Sequence, residues 1–168
     1  VTLTGNLGLV LAQDVVTFYV MFTLMTFSAY GLIIHEQSRE ALKAGRVYIV
    51  LAVFGEAFLL SGLVLAVYPS QNLGLDAVAQ QVAESPDRNV TIALLLAGFG
   101  VKAGTIPLHV WLPLAHPVAP TPASAVLSGA MIKAGLLGWL RFLPLGEVAR
   151  PDWGAVWIAM GIVAAFFG

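Results

Sequence analysis

The sequence contains no cysteine and very little charge. Without cysteine it can have no disulfide framework, no thiolate nucleophile and no cysteine ligands for zinc or an iron–sulfur cluster. Charged residues make up only 10 % of the 168 residues, whereas a soluble domain carries about 25 %. This composition argues against a soluble enzyme and a disordered segment. The net charge of −1 gives no signal for nucleic-acid binding.

Apolar residues are abundant instead, at 59 % of the chain. A helix needs about 20 predominantly apolar residues to cross a bilayer. Runs of this kind predict spans at approximately 15–34, 47–68, 90–112, 123–143 and 153–168. We therefore predict an all-α, polytopic transmembrane helix bundle. We treat residues 1–168 as one transmembrane fragment of a longer subunit.

Three ionisable residues lie deep inside the predicted spans: Glu56, Lys102 and Lys133. Each costs about 2.5–3.5 kcal/mol at the centre of a membrane helix. They lie about 15 Å from the nearer water boundary, which is too far for a lysine stem to reach. We interpret them as an intramembrane proton pathway and expect the three side chains to converge. The alternative is a set of charges locked in structural pairs.

A proline interrupts the third span shortly after Lys102. Pro107 has no N–H to donate, and its ring clashes with the carbonyl four residues earlier. Backbone groups freed inside a membrane must be satisfied by protein or water. Gly104 and Pro107 therefore predict a broken helix beside a hydrated cavity, with an ordinary proline kink as the alternative. The proline-rich stretch 113–122 predicts an extended connection.

Two histidines follow the predicted break. His109 lies seven residues after Lys102, on the same face if the helix continues, and His116 lies in the next connection. Because imidazole titrates near neutral pH, each is a candidate proton relay, with a capping or structural role as the alternative. We expect no metal site, because the histidines have no carboxylates at matching spacing. No catalytic or cofactor motif is evident, so we expect neither catalysis nor a cofactor in this chain itself.

The motifs around the two lysines resemble those of a known family. Residues 98–113 read GFGVKAGTIPLHVWLP, residues 115–120 read AHPVAP, and residues 124–135 read SAVLSGAMIKAG. These motifs resemble the antiporter-like membrane subunits of respiratory complex I, Mrp-type cation/proton antiporters and energy-converting membrane hydrogenases. They look most like the formate-hydrogenlyase and membrane-hydrogenase branch. The resemblance implies a subunit of about fourteen helices, of which this chain covers the end of the fourth to the ninth.

The resemblance also implies a function. It points to proton translocation by one subunit of a redox-driven complex, in contact with other membrane subunits and lipid in a prokaryotic plasma membrane. Quinone or hydrogenase chemistry would then belong to neighbouring subunits. Two alternatives remain: an Mrp-type subunit that exchanges a cation such as sodium for protons, and a structural paralogue that does not pump.

The resemblance assigns roles to individual residues. It places Lys102 as the buried lysine of the broken seventh helix, Lys133 as the eighth-helix lysine that links half-channels, and His109 as the histidine of the PLH-x-W motif. The fifth helix of the family reads WELM where this chain reads FTLM, so Thr23 occupies the position of an expected glutamate. We expect Glu56, on the sixth helix, to supply the missing carboxylate.

Overall fold

Helices form nearly all of the regular structure in the computed structural model, which describes residues 1–145 and 151–167. These two ranges contain no β-strand, only an isolated bridge between Asp14 and Gly74. The α-helices are α1 (Thr2–Leu11), α2 (Val15–Ile33), α3 (Arg39–Val67), α4 (Leu75–Glu84), α5 (Arg88–Ala103), α6 (Trp111–Ala115), α7 (Thr121–Val126), α8 (Ile132–Phe142) and α9 (Pro151–Phe167). The prediction of an all-α fold is confirmed. Gly168, the last residue of the predicted fifth span, lies outside the described residues.

Four helical segments are long and apolar enough to cross a membrane. They are Val15–Ile33, Arg39–Val67, Arg88–Ala115 and Thr121–Phe142. Side-chain caps fix where two of them begin: Asp14 accepts a hydrogen bond from the Thr17 N–H at 2.8 Å, and Ser38 accepts one from the Ala41 N–H at 3.0 Å. Such caps satisfy N–H groups that have no partner within the helix.

Glycines allow α5 to pack closely between α3 and α8. A Cβ on Gly98 would lie 2.8 Å from the backbone nitrogen of Leu59 on α3, and one on Gly135 would lie 2.6 Å from that of Ala103 on α5. Small residues at helix crossings let the backbones approach, which favours van der Waals packing in a membrane. The end of α5 is therefore held on two sides by neighbouring helices.

The third apolar segment is broken where α5 ends at Ala103. Gly104 has a φ of +70°, in the left-handed region that glycine adopts readily at helix ends. A short 3₁₀ helix and then α6 (Trp111–Ala115) continue the chain. The expectation of an extended connection over 113–122 is wrong at its start, because Pro113 lies in the first turn of α6, where its missing N–H leaves no helical bond unmade.

Candidate functional site

Lys102 lies in the last turn of α5 and is 3 % exposed. Its Nζ donates a hydrogen bond to the Tyr48 hydroxyl at 3.0 Å, and that hydroxyl donates in turn to the Thr26 carbonyl at 2.7 Å. Nζ also lies 5.1 Å from the centroid of the Tyr48 ring and 5.8 Å from that of Phe22. One hydroxyl and two aromatic faces therefore surround the amino group inside the bundle.

Glu56 is the buried acid on α3, with 6 % of its surface exposed. Its Oε2 accepts a hydrogen bond from the Thr23 hydroxyl at 2.9 Å. Its Oε1 is buried and has no hydrogen-bond partner in the described part of the chain. The carboxyl group is thus anchored through one oxygen, and the other oxygen remains able to accept a hydrogen bond.

Glu56 and Lys102 lie at nearly the same depth in the bundle. Gly55, next to Glu56, packs so closely on α5 that a Cβ there would be 3.0 Å from the Cβ of Val101, next to Lys102. Helical periodicity turns both side chains inward, because residues four and seven positions apart share a face. Ala52 and Leu59 are buried on the face of Glu56, and Gly98 and Leu95 on that of Lys102. The structure therefore brings these two predicted site residues together.

Thr23 lies where α2 faces Glu56. The 2.9 Å contact between the Thr23 hydroxyl and the Glu56 carboxyl means that side chains at these two positions meet at one point. A glutamate at position 23 on α2, as in the family motif, would therefore lie at the same place as the carboxyl that Glu56 provides from α3.

Lys133 does not join Glu56 and Lys102, so the expectation that all three converge is wrong for Lys133. It is exposed within the described residues and faces a groove of about 510 Å³ beside α1. The cause is helical periodicity: Lys133 is two residues from both Met131 and Gly135, which are buried. Two residues correspond to a rotation of about 200° around the helix axis.

The two histidines lie beyond the break. His109 is half-buried in the 3₁₀ helix, and among the described residues its Nδ1 has no hydrogen-bond partner. Because α5 ends at Ala103, His109 does not share a continuous helical face with Lys102. His116 is half-buried, and its Nδ1 lies 2.7 Å from the Ser124 hydroxyl. Over residues 1–145 and 151–167 no cluster of three or more acids or histidines could hold a metal ion.

Two polar aromatic residues at the centre of the site, Tyr48 and Trp111, were not predicted from the sequence. Tyr48 is the direct partner of Lys102, and the Trp111 Nε1 donates to the Val101 carbonyl at 2.7 Å, beside the helix break. The signal for Tyr48 was its position eight residues before Glu56, which places both on one face of α3. The signal for Trp111 was an indole inside an apolar run, whose N–H needs an acceptor when it is buried, next to a broken helix that leaves carbonyls free.

A buried lysine and a buried glutamate among apolar helices long enough to cross a membrane fit the antiporter-like membrane subunits that the sequence motifs resemble. The family model described as "NADH:quinone oxidoreductase/Mrp antiporter, TM" matches residues 12–168. The chain belongs to this family, as its motifs predicted.

Individual relatives come from more than one kind of complex. The chain is 34 % identical to "Hydrogenase-4 component B" of Escherichia coli (strain K12), over 99 % of this chain and 25 % of that protein. It is 32 % identical to "Na(+)/H(+) antiporter subunit A1" of Staphylococcus aureus (strain JH9), over 96 % of this chain and 20 % of that protein. The chain therefore spans a quarter or less of the length of these relatives.

A solved structure shares the fold. The chain matches a subunit in the structure of the membrane-bound sulfane sulfur reductase, described as an archaeal respiratory membrane complex, with a TM-score of 0.83 and 30 % identity. The match covers 95 % of this chain and 34 % of that one.

Proposed function

We propose that this chain is part of a proton-translocating membrane subunit of a redox-driven complex. The observation that carries the proposal is the placement of Lys102 and Glu56 at the same depth in the bundle, each bonded to a hydroxyl group. Ionisable groups inside membrane helices are costly and typically mark ion or proton pathways. Lys102, Glu56 and their hydroxyl partners Tyr48 and Thr23 form the central part of the pathway in this proposal.

The remaining predicted residues extend the pathway outward. His109 and His116 lie between the break and α7, and we assign them to proton exchange toward that end of the bundle. Gly104 and Pro107 interrupt the helix so that backbone polar groups and water can approach Lys102. Lys133, on the groove-facing side of α8, carries protons to further parts of the full-length subunit.

The redox-driven setting is supported by similarity to a hydrogenase component and to a subunit of a respiratory complex. Both comparisons also support other membrane subunits as partners and a prokaryotic plasma membrane as the location. We further propose that the chain corresponds to the end of the fourth to the ninth helix of a subunit of about fourteen. Redox chemistry takes place in the partner subunits.

The proposal is tested by Lys102→Met and Glu56→Gln in the full-length subunit, assembled in its complex in membrane vesicles. Donor-driven proton uptake should fall by about a hundredfold or more in each variant, because a group that exchanges the proton is lost. The matched controls are Lys43→Met and Glu40→Gln, two exposed residues near the start of α3, and both should pump normally. Unchanged proton movement in assembled Lys102→Met complex would overturn the proposal and leave a structural paralogue.

A second candidate is a cation/proton antiporter subunit of Mrp type, which similarity to the staphylococcal antiporter subunit favours. The two candidates differ in their energy source. An antiporter moves protons when a sodium or potassium gradient is imposed without an electron donor, whereas a redox-driven subunit requires the donor. Cation-dependent proton movement in vesicles lacking a donor, lost when the cation is omitted, would favour the second candidate.

A further inference from the structure

We infer that Tyr48 is a positioning residue that holds the Lys102 side chain away from the Glu56 carboxylate between proton transfers. The inference rests on the proposed function and adds a residue that the sequence motifs do not point to. Two hydrogen-bond acceptors lie near Lys102, and its amino group donates a hydrogen bond to only one of them.

The first acceptor is the Tyr48 hydroxyl, which is fixed in its role. Its own proton is donated to the Thr26 carbonyl at 2.7 Å, so it presents a lone pair to the Lys102 amino group at 3.0 Å. The Tyr48 ring packs edge-on against Trp111, with centroids 5.2 Å apart. Trp111 is held in turn by its bond to the Val101 carbonyl. Tyr48 is therefore an acceptor of fixed position.

The second acceptor is Oε1 of Glu56, which is buried and makes no hydrogen bond to any described residue. Glu56 lies at the depth of Lys102, because Gly55 packs on Val101. A lysine has a flexible four-carbon stem and three donor hydrogens. The Lys102 side chain can thus move from the hydroxyl to the carboxylate without movement of its helix.

Holding the amino group on a neutral hydroxyl has a functional consequence. A buried ammonium–carboxylate pair is hard to separate, because each partner is left desolvated when the other leaves. While Lys102 is bonded to Tyr48, the Lys102 amino group and the Glu56 carboxyl can each gain or lose a proton separately. The titratable groups that α3 presents here are Tyr48 and Glu56. Helix α2 presents Tyr19 on the Glu56 side, together with the Phe22 ring and the Thr26 carbonyl.

The test is Tyr48→Phe in the full-length subunit within its complex, which removes only the hydroxyl and keeps the ring. Donor-driven proton translocation should slow by about tenfold, as expected for one lost hydrogen bond to a charged group. The pH of half-maximal translocation should move by about half a unit or more, because the protonated Lys102 amino group loses the hydroxyl that accepts its hydrogen bond. The amount of assembled complex should stay the same. Tyr68→Phe, an exposed tyrosine at the end of α3, is the matched control and should change nothing.

Lys102→Met is measured in parallel so that two failures can be told apart. If Lys102→Met is inactive but Tyr48→Phe translocates normally, the inference about Tyr48 is wrong and the proposed function stands. A slower Tyr48→Phe variant with an unchanged pH profile also overturns it, because that result indicates a structural role. If Lys102→Met still translocates, the proposed function fails and the inference fails with it.

If Tyr48→Phe does not assemble, 3-fluorotyrosine at position 48 keeps the hydroxyl but weakens it as an acceptor. An unchanged pH profile with that residue overturns the inference.

Discussion

The buried carboxyl of Glu56 accepts a hydrogen bond from the Thr23 hydroxyl at 2.9 Å. A hydroxyl is suited to this position because it rotates: it donates to a carboxylate and accepts from a carboxylic acid. Thr23 can therefore remain bonded to Glu56 whether or not the carboxyl carries a proton. A carboxylate at position 23 would instead repel the Glu56 carboxylate when both are ionised.

Replacing Thr23 with valine should impair proton translocation while preserving the volume of the side chain. Oε2 of Glu56 would then lose its donor, and translocation should fall by about tenfold, the effect of losing one hydrogen bond to a charged group. Thr23→Ser keeps the hydroxyl and should translocate close to the normal rate. Equal rates for the valine and serine variants, in complexes assembled to the same level, would show that the hydroxyl has no role.

Trp111 offers a second prediction, about stability. Trp111→Phe removes the donor to the Val101 carbonyl and should lower the free energy of unfolding of the detergent-solubilised subunit by about 1–3 kcal/mol beyond the loss of ring volume. Trp139→Phe is the control, because the buried Trp139 Nε1 has no partner among the described residues. If the two variants lose equal stability, the bond to Val101 contributes nothing measurable.

Individual bonds of this kind were not predictable from the sequence, although the buried charges were. A hydroxyl within a helix can bond to a carbonyl of its own preceding turn, as Thr26 and Ser61 do. The same residue type can also reach another helix, as Thr23 does. The choice between the two depends on which helix lies opposite, and a single sequence does not contain that information.

At the level of elements, apolar length indicates where a helix runs, and glycine and proline indicate where it ends. The run 15–34 corresponds to α2 (Val15–Ile33), because a membrane helix requires continuous apolar length. Gly104 and Pro107 predicted a break just after Lys102, and α5 ends at Ala103, where Gly104 takes the left-handed conformation. The glycine fits that conformation without steric strain, and the proline ring disfavours a helical bond to the Ala103 carbonyl, so both residues favour the end of α5 at Ala103.

The packing of α8 on α5 predicts opposite outcomes for two glycines of the same segment. In Gly135→Ala the new Cβ would lie 2.6 Å from the Ala103 backbone nitrogen, so the helices must separate. The free energy of unfolding should fall by about 1–3 kcal/mol, as for other overpacked sites. Gly129→Ala meets no atom within 4 Å and should be tolerated. Thermal unfolding of both variants in detergent measures the difference, and equal losses would contradict this packing.

The start of α2 predicts a dependence of stability on pH. The hydrogen bond from the Thr17 backbone N–H holds the pKa of the Asp14 carboxyl below its ordinary value. A lowered folded-state pKa adds stability that is complete above the unfolded pKa of about 3.9 and is lost as the pH falls through the folded value. Asp14→Asn keeps an N-cap acceptor but cannot titrate, so its unfolding midpoint should fall less on acidification from about pH 5 to pH 3. Identical acid sensitivity of the two proteins would contradict this role for Asp14.

At the level of the whole molecule, polar contacts join helices that are far apart in sequence. The Arg141 guanidinium, near the end of α8, donates to the carbonyls of Leu9, Val10 and Ala12 at the end of α1, at 3.3, 2.7 and 3.0 Å. A cation at the carboxyl end of a helix satisfies free carbonyls and interacts favourably with the helix dipole. Asn6 of α1 similarly donates to the Ala130 carbonyl at 3.2 Å. These contacts fix one side of the groove that Lys133 faces, so the position of Lys133 follows from the assembly of α1 with α8.

The arrangement of α2 and α3 around one ammonium predicts that the carboxylate can be moved from one helix to the other. Glu56→Gln should abolish translocation, and adding Thr23→Glu should restore it to within about tenfold of the normal rate, because side chains at these positions meet at one point. Thr23→Glu alone places two carboxylates beside Lys102, so it should impair assembly or turnover through repulsion. Donor-driven proton uptake by the three variants in vesicles, normalised to assembled complex, measures these outcomes. A double variant that assembles but remains as inactive as Glu56→Gln would mean that the position of the carboxylate on α3, and not only its presence beside Lys102, is required.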